Sequence, residues 1–225
     1  MTRAAATPIA FDVADEGRVS GLVDSPAAPR ACYVFAHGAG AGMNHPFMVA
    51  VAQGLAERGV ATLRFQFPYM ERGSKRPDPP PRAQAAVRAA AAEAARLFPG
   101  VALFAGGKSF GGRMTSQAQA ASPLGGVRGL VFLGFPLHPP GKPSDERAQH
   151  LFDVRIPMLF LQGARDDFAQ LELLQPLVER LGKAATLQLF ADADHSFHVP
   201  ARVAGGDAGV RAGLLDAMAR WLERA

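Results

Sequence analysis

The chain has 225 residues, of which 48% are hydrophobic and 20% charged, and its formal net charge is +4. Length and composition predict one globular domain over residues 1–225, and the lone Cys32 excludes a disulfide within the chain. The basic residues are interspersed with acids, so we expect no binding to nucleic acid. The sequence has neither a signal peptide nor an apolar run of about 20 residues, so we expect a cytoplasmic protein that does not bind a membrane.

Short β-branched or aromatic runs alternate with longer Ala-rich stretches, which is typical of a mostly parallel sheet with helices on both faces. The predicted strands span residues 9–13, 18–23, 31–36, 60–65, 101–105, 127–135, 156–162 and 186–190. The predicted helices span residues 46–58, 82–98, 110–121, 168–181 and 208–223. The first two strands flank Asp15-Glu16-Gly17 and should form an antiparallel hairpin. The proline-rich segment 68–81 is predicted to be a surface loop.

The segment Gly107-Lys108-Ser109-Phe110-Gly111 lies between a predicted strand and a predicted helix and has the pattern G-x-S-x-G. A sharp strand-to-helix turn crowds the backbone around the serine, so small residues are required two positions before and after it. Such a turn lifts the Ser109 hydroxyl above the sheet. The Phe110 N–H at the start of the helix can then stabilise negative charge on a substrate carbonyl. The pattern therefore predicts a nucleophilic serine, and a phosphate-binding loop is disfavoured because Ala102 stands where that motif requires glycine.

A serine hydroxyl needs a base that takes its proton and an acid that orients the base. His195 follows the last predicted strand and precedes the last predicted helix, which is where the base arrives when the chain order is Ser, acid, His. Asp166 follows the preceding predicted strand and is the first choice for the acid. Asp167 and Asp194 remain alternatives for that role.

A metal site is the competing interpretation of the same loop. Asp192, Asp194, His195 and His198 supply two carboxylates and the pattern His-x-x-His. No glutamate lies between the two histidines, and a metal cluster leaves the serine turn unexplained. We therefore predict no metal and no other cofactor.

A glycine-rich loop, residues 37–42, follows the predicted strand 31–36. The second donor of an oxyanion hole comes from such a loop, because small residues let the backbone approach the substrate. We predict that the Ala39 N–H acts beside the Phe110 N–H, with Gly40 as the next choice, and that His37 braces the loop. The loop lacks the G-x-G-x-x-G spacing and a following acid, so dinucleotide binding is not predicted.

On these residues the sequence resembles the α/β-hydrolase superfamily over nearly the whole chain. Within it the sequence is similar to small lidless members related to dienelactone hydrolases, and most of all to the bacterial relatives of testis-expressed protein thirty. Residues 37–47, 106–114 and 135–142 carry this closer similarity. The resemblance implies an α/β-hydrolase fold without a cap and a triad of Ser109, Asp166 and His195. True dienelactone hydrolases have cysteine at the nucleophile position, so Ser109 departs from them.

We therefore expect a serine hydrolase of the carboxylesterase type that cleaves small esters or thioesters through an acyl-enzyme. The roughly twenty residues before the strand of the acid are too few for a lid, which predicts an open pocket. Candidate substrate-binding residues are Gly40, Tyr69, Met70, Lys108 and His138. Lys108 and Arg113 flank the serine and either favour an anionic substrate or pair with nearby acids. The alternative is a hydrolase-fold interaction module with little or no turnover, and the sequence does not decide between monomer and homodimer.

Overall fold

The computed structural model describes residues 5–225, which form an eight-stranded sheet in the order β1-β2-β4-β3-β5-β6-β7-β8. The strands are β1 (Thr7–Val13), β2 (Gly17–Asp24), β3 (Ala31–Ala36), β4 (Val60–Phe65), β5 (Ala102–Lys108), β6 (Val127–Leu133), β7 (Met158–Gly163) and β8 (Ala185–Phe190). β2 pairs antiparallel with β1 and β4, and the other neighbours pair in parallel. The predicted mostly parallel sheet with an N-terminal hairpin is confirmed.

Helices cover both faces of this sheet. They are α1 (Pro46–Ala56), α2 (Pro68–Glu71), α3 (Pro80–Leu97), α4 (Phe110–Ala121), α5 (Leu171–Leu181) and α6 (Gly206–Leu222). α1 and α6 bury Met48, Leu55 and Leu214 on one face, whereas α3, α4 and α5 bury residues such as Val87 and Met114 on the other. Because both faces are covered, all six residues of β3 are buried. Within residues 5–225, none of the helices is both long and apolar enough to span a membrane.

The segment 68–81 is not the plain surface loop that its prolines suggest. Its first residues form α2, and Tyr69 and Asp78 are buried. The Asp78 carboxylate accepts the Tyr69 N–H at 2.8 Å and pairs with Arg72 at 2.5 Å. These polar groups satisfy one another, which lets the segment pack inward although its sequence is polar.

The connection between β6 and β7 contains no cap. Residues 134–157 form loops and one 3-10 helix, Glu146–Asp153, which contacts α4 and which the sequence did not predict. The parallel strands therefore end at an uncovered edge, where Ala36 pairs with Gly107 and Gly163 pairs with Phe190. In open α/β sheets, ligands bind outside this carboxyl edge of the strands.

Candidate active site

Ser109 lies in the sharp turn between the end of β5 and the start of α4. Its φ of 51° and ψ of −115° form a strained conformation that non-glycine residues rarely adopt. A Cβ atom at Gly107 or at Gly111 would collide with the carbonyl oxygen of Ala36 on the neighbouring strand. This close approach explains why the turn needs glycine two positions before and after the serine.

Ser109, His195 and Asp166, the three residues proposed from the sequence, form one continuous chain of hydrogen bonds. The Ser109 Oγ lies 2.9 Å from His195 Nε2, and His195 Nδ1 lies 2.7 Å from Asp166 Oδ2. Because an ionised carboxylate only accepts hydrogen bonds, Nδ1 carries the imidazole proton and Nε2 accepts the Ser109 hydroxyl. Three residues that are far apart in the sequence therefore meet at the carboxyl edge of the sheet.

Asp166 is held in place by hydrogen bonds on both carboxylate oxygens. The Phe168 N–H donates to Oδ1 at 2.8 Å, and the Gln162 side-chain amide donates to Oδ2 at 2.5 Å. Asp167 is exposed. Asp194 instead accepts the Ser196 N–H within its own loop, at 2.8 Å. Of the three candidate acids, Asp166 is the one that contacts His195.

His195 is a mostly buried imidazole with a low basicity. Burial lowers its pKa below the ordinary value of 6.5, although the hydrogen bond to Asp166 opposes this shift. The ammonium of Lys108 acts in the same direction as burial. The Phe168 ring lies against the imidazole, with ring centroids 4.3 Å apart. His195 is therefore neutral at neutral pH and able to accept a proton.

The glycine-rich loop passes directly beside the serine. A Cβ atom at Gly38 would lie 3.9 Å from the Ser109 Cβ, and Ala39 lines the cavity beside Ser109. The Gly40 N–H is already used, because it donates to the Tyr69 hydroxyl at 3.0 Å. Among residues 5–225 no hydrogen-bond acceptor engages the Ala39 N–H. The Phe110 N–H begins α4 and has no partner within the helix, so two donors remain available near Ser109.

His37 braces the glycine-rich loop and is separated from the reaction centre. Its Nδ1 donates to the Gly38 carbonyl at 2.7 Å, and its Nε2 accepts the Phe67 N–H at 3.2 Å. The ring is fully buried, and burial lowers its pKa to about 4. A neutral imidazole satisfies both contacts, which agrees with the bracing role expected from the sequence.

A cavity of about 300 Å³ opens beside Ser109. It lies between the glycine-rich loop, the start of α1 and the loop that carries His195. Its lining consists of Gly38, Ala39, Ala41, His45, Phe47, Met48, Lys108, Ser109, Phe168, His195 and Ser196. The contribution of α1 was missed by sequence reasoning. The available signal was that His45, Phe47 and Met48 directly follow the glycine-rich loop and so must start close to Ser109.

Four of the five candidate substrate-binding residues lie outside this cavity. Tyr69 is only 1% exposed and holds Gly40, and a Cβ atom at Gly42 would lie 3.2 Å from the end of the Met70 side chain. His138 is fully buried and donates from Nδ1 to the Pro139 carbonyl at 2.9 Å. The polar side-chain atoms of Tyr69 and His138 are paired within the protein, so these two residues support the surrounding loops. Of the five candidate residues, Lys108 is the one that lines the cavity.

His198 and Arg113 lie outside the hydrogen-bonded chain of Ser109, His195 and Asp166. His198 pairs with Asp207 at 2.9 Å on the surface. Arg113 is half-buried, and burial lowers its pKa. In the described part of the chain, no group of three or more His, Cys, Asp or Glu side chains lies close enough together to hold a metal ion.

The Tyr69–Gly40 contact gives a first testable prediction. Tyr69→Phe removes the hydroxyl that accepts the Gly40 N–H, so we expect the free energy of unfolding to fall by about 1 kcal/mol. We also expect kcat/KM for an ester to fall several-fold, because Ala39 is adjacent in the same loop. Urea unfolding and ester hydrolysis measure the two effects. Ser25→Ala, which removes an exposed hydroxyl far from the loop, should change neither, and an unchanged Tyr69→Phe protein would contradict the bracing role.

The sheet topology and the serine turn together define a protein of the α/β-hydrolase class. The family model described as an alpha/beta hydrolase domain matches residues 29–223, and the chain belongs to this family.

Solved structures of other proteins show the same fold over almost the entire chain. A lidless α/β serine hydrolase from Xanthomonas campestris is 22% identical with a TM-score of 0.76, and the match covers 98% of this chain and 97% of that one. A dienelactone hydrolase from Anabaena variabilis is 19% identical with a TM-score of 0.78 and 99% coverage of both chains. An α/β serine hydrolase homologue from Coxiella burnetii is 18% identical with a TM-score of 0.75 and 98% coverage of both. The predicted α/β-hydrolase fold without a cap is therefore confirmed.

Proposed function

We propose that this protein is a serine hydrolase that cleaves small carboxylic esters or thioesters. The observation that carries the proposal is the hydrogen-bonded chain from Ser109 through His195 to Asp166, with 2.9 Å and 2.7 Å between the bonded atoms. The serine occupies a strained turn at the floor of a cavity, which is the environment that exposes and activates a serine nucleophile.

The reaction that this geometry supports is acyl transfer through a covalent intermediate. Ser109 Oγ attacks the carbonyl carbon while His195 Nε2 takes the hydroxyl proton. The N–H groups of Ala39 and Phe110 stabilise the oxyanion that forms. His195 then gives the proton to the leaving alkoxide or thiolate, which departs as the alcohol or thiol and leaves an ester on Ser109. Water attacks this ester after His195 takes one of its protons, the acid is released, and the proton returns to Ser109.

The shape of the cavity supports small or accessible acyl groups as substrates. Its volume of about 300 Å³ lies at the lower end for ligand sites. Phe47 and Met48 provide apolar wall on one side and Phe168 on the other. The absence of a cap in residues 134–157 leaves the cavity open. Short-chain esters should therefore be hydrolysed faster than long-chain ones.

The pH dependence of hydrolysis follows from the basicity of His195. Only the neutral imidazole accepts the Ser109 proton, so kcat/KM falls as pH drops through the pKa of His195. Because that pKa lies below 6.5, we expect the acid limb of the pH profile, where kcat/KM falls as the pH drops, to have its midpoint below pH 6.5. Rates measured from about pH 4.5 to 8.5, with circular dichroism to follow unfolding, test this. A midpoint above 6.5 in folded protein would contradict the assignment.

The proposed function is tested with p-nitrophenyl acetate and p-nitrophenyl butyrate. We expect the wild type to hydrolyse both, with acetate preferred or equal, and Ser109→Ala to show only the uncatalysed rate. Equal background rates for wild type and variant would reject the hydrolase and favour the alternative, a hydrolase-fold interaction module with an idle site.

We further propose that the chain is one domain that works in the cytoplasm, and that it groups within its family with the bacterial relatives of testis-expressed protein thirty. The first part is supported by the length and by the single cysteine. The grouping is supported by residues 37–47, 106–114 and 135–142, which include the glycine-rich loop and the serine turn.

A further inference from the structure

Lys108 is a cation at the centre of the site that the reaction described above does not use. It is the last residue of β5 and directly precedes Ser109. Lys108 lines the cavity, and its ammonium donates to the main-chain carbonyl of His195 at 2.7 Å. It also lies 5.8 Å from the centroid of the Phe197 ring, within cation–π range.

The protein leaves room for this lysine at one specific position. Gly134 follows β6 with a φ of +69°, and a Cβ atom there would lie 2.9 Å from the Lys108 Nζ. The same Cβ would lie 3.3 Å from the His195 carbonyl oxygen. A side chain at position 134 would therefore press on both partners of the Lys108–His195 hydrogen bond, so the glycine keeps the path of the lysine open.

The loop that carries His195 needs an anchor on the side of the nucleophile. Residues 191–205 connect β8 to α6 without regular secondary structure, and Phe197 has an unfavourable φ of 63°. Asp194 organises the loop internally by accepting the N–H groups of Ser196 and His198. On the side of β7, the Ala193 carbonyl accepts the Arg165 N–H at 2.9 Å. The bond from Lys108 fastens the loop main chain to the strand that ends at Ser109.

We propose that Lys108 is a positioning residue that holds the main chain of His195, so that the imidazole stays between Ser109 and Asp166. This inference rests on the proposed function and adds a residue to it. Lys108 touches no reacting atom in this arrangement and acts only through His195. Since an error of about 1 Å in the placement of a catalytic group can lower the rate about a hundred-fold, a tether of this kind affects turnover.

The charge of Lys108 has a second effect on the same imidazole. The charged groups that face His195 are Lys108 from β5, Asp166 from the loop after β7, and Asp194 from its own loop. The two carboxylates favour the imidazolium and the ammonium disfavours it. Burial lowers the pKa of Lys108 to about 8, so the ammonium is largely protonated at pH 7. Removing Lys108 should therefore raise the pKa of His195.

The test compares Lys108→Met with Lys75→Met. Methionine fills much of the space of the lysine without a donor or a charge. Lys75 is an exposed lysine whose main-chain carbonyl oxygen would lie 3.9 Å from a Cβ atom at Gly40, so both variants lose one positive charge. For Lys108→Met we expect kcat/KM for p-nitrophenyl acetate to fall about 10- to 100-fold, mainly through kcat, with the acid limb moved to higher pH. Lys75→Met should match the wild type. If Lys108→Met does not fold, Lys108→Gln replaces it. The glutamine side chain is one bond shorter than that of lysine, so its amide does not reach the His195 carbonyl.

A nuclear magnetic resonance experiment tests the inference without any turnover. In the wild type, the Nδ1 proton of His195 should give a downfield signal because it is bonded to Asp166. In Lys108→Met this signal should broaden through exchange, and the titration midpoint of His195 should rise. The inference is overturned if Lys108→Met matches the wild type in activity, in the His195 signal and in the titration midpoint. It is also overturned if Lys75→Met shows the same losses. A third contradicting result is a loss of activity in Lys108→Met while the His195 signal and midpoint stay unchanged. An inactive wild type would reject the proposed function, and the resonance would still decide the role of Lys108.

Discussion

Replacing Ser109 with alanine is expected to lower kcat/KM for p-nitrophenyl acetate at least about 1000-fold. The reason is that the acyl group is transferred to Ser109 Oγ. Among residues 5–225, no other hydroxyl combines a strained turn, a neutral imidazole and a cavity. Purified wild type and Ser109→Ala, assayed at the same concentration, measure the loss. The variant should remain folded because Ser109 Oγ contributes one hydrogen bond, to His195, and the alanine fits the same turn.

Ser116→Ala is the matched control for this experiment. Ser116 and His150 form another close serine–histidine pair, with 2.7 Å between Oγ and Nε2. Ser116 lies on the regular helix α4 and His150 on the 3-10 helix Glu146–Asp153. Neither residue lines the cavity, and burial lowers the pKa of His150 to about 4. Distance alone therefore does not make a nucleophile, and Ser116→Ala should keep wild-type activity. Comparable losses in both variants would contradict the assignment of Ser109.

Asp166→Asn is expected to lower kcat/KM about 1000- to 10,000-fold. The amide keeps the size of the side chain but removes the charge that stabilises the imidazolium and that fixes the proton on Nδ1. It also loses the acceptor that the Gln162 amide and the His195 imidazole share on Oδ2. The same ester assay measures the loss, and the acid limb should change because the carboxylate normally raises the pKa of His195.

Asp167→Asn separates the two neighbouring acids. Asp167 is exposed, and the imidazole is bonded to Asp166. We expect this variant to hydrolyse esters like the wild type. If Asp167→Asn were the damaged protein and Asp166→Asn the intact one, the acid of the site would be misassigned.

The parts of the fold that follow from local sequence were predictable. The strands β3 and β4 and helix α4 match their predicted bounds, because buried apolar runs and helix starts are encoded within a few residues. The serine turn was predictable for the same reason: the glycines at positions 107 and 111 and the serine between them occupy five consecutive positions. His195 and Asp166 could be selected because each follows a different strand, and parallel strands bring such positions to one edge.

Other features depend on contacts between distant segments, and the sequence carries little signal for them. Tyr69 is a candidate substrate-binding residue from the sequence, but its ring packs beside His37 and its hydroxyl holds Gly40. His138 was chosen as a substrate contact, but it is fully buried. Lys108 was expected to meet a substrate or an acid, and its bond to the His195 carbonyl spans 87 residues of sequence. The side-chain direction in each case is set by which loop passes nearby, which no local pattern reveals.

The most direct test of the account is to locate the nucleophile chemically. The protein is treated with a fluorophosphonate, digested with trypsin and analysed by tandem mass spectrometry. Trypsin cleaves after Lys108 and Arg113, so the peptide 109–113 contains Ser109 as its only hydroxyl side chain. We expect one stoichiometric adduct on this peptide in the wild type and none in Ser109→Ala. An adduct on a different residue, or an unmodified peptide 109–113 in the folded wild type, would contradict the assignment of Ser109 as the nucleophile.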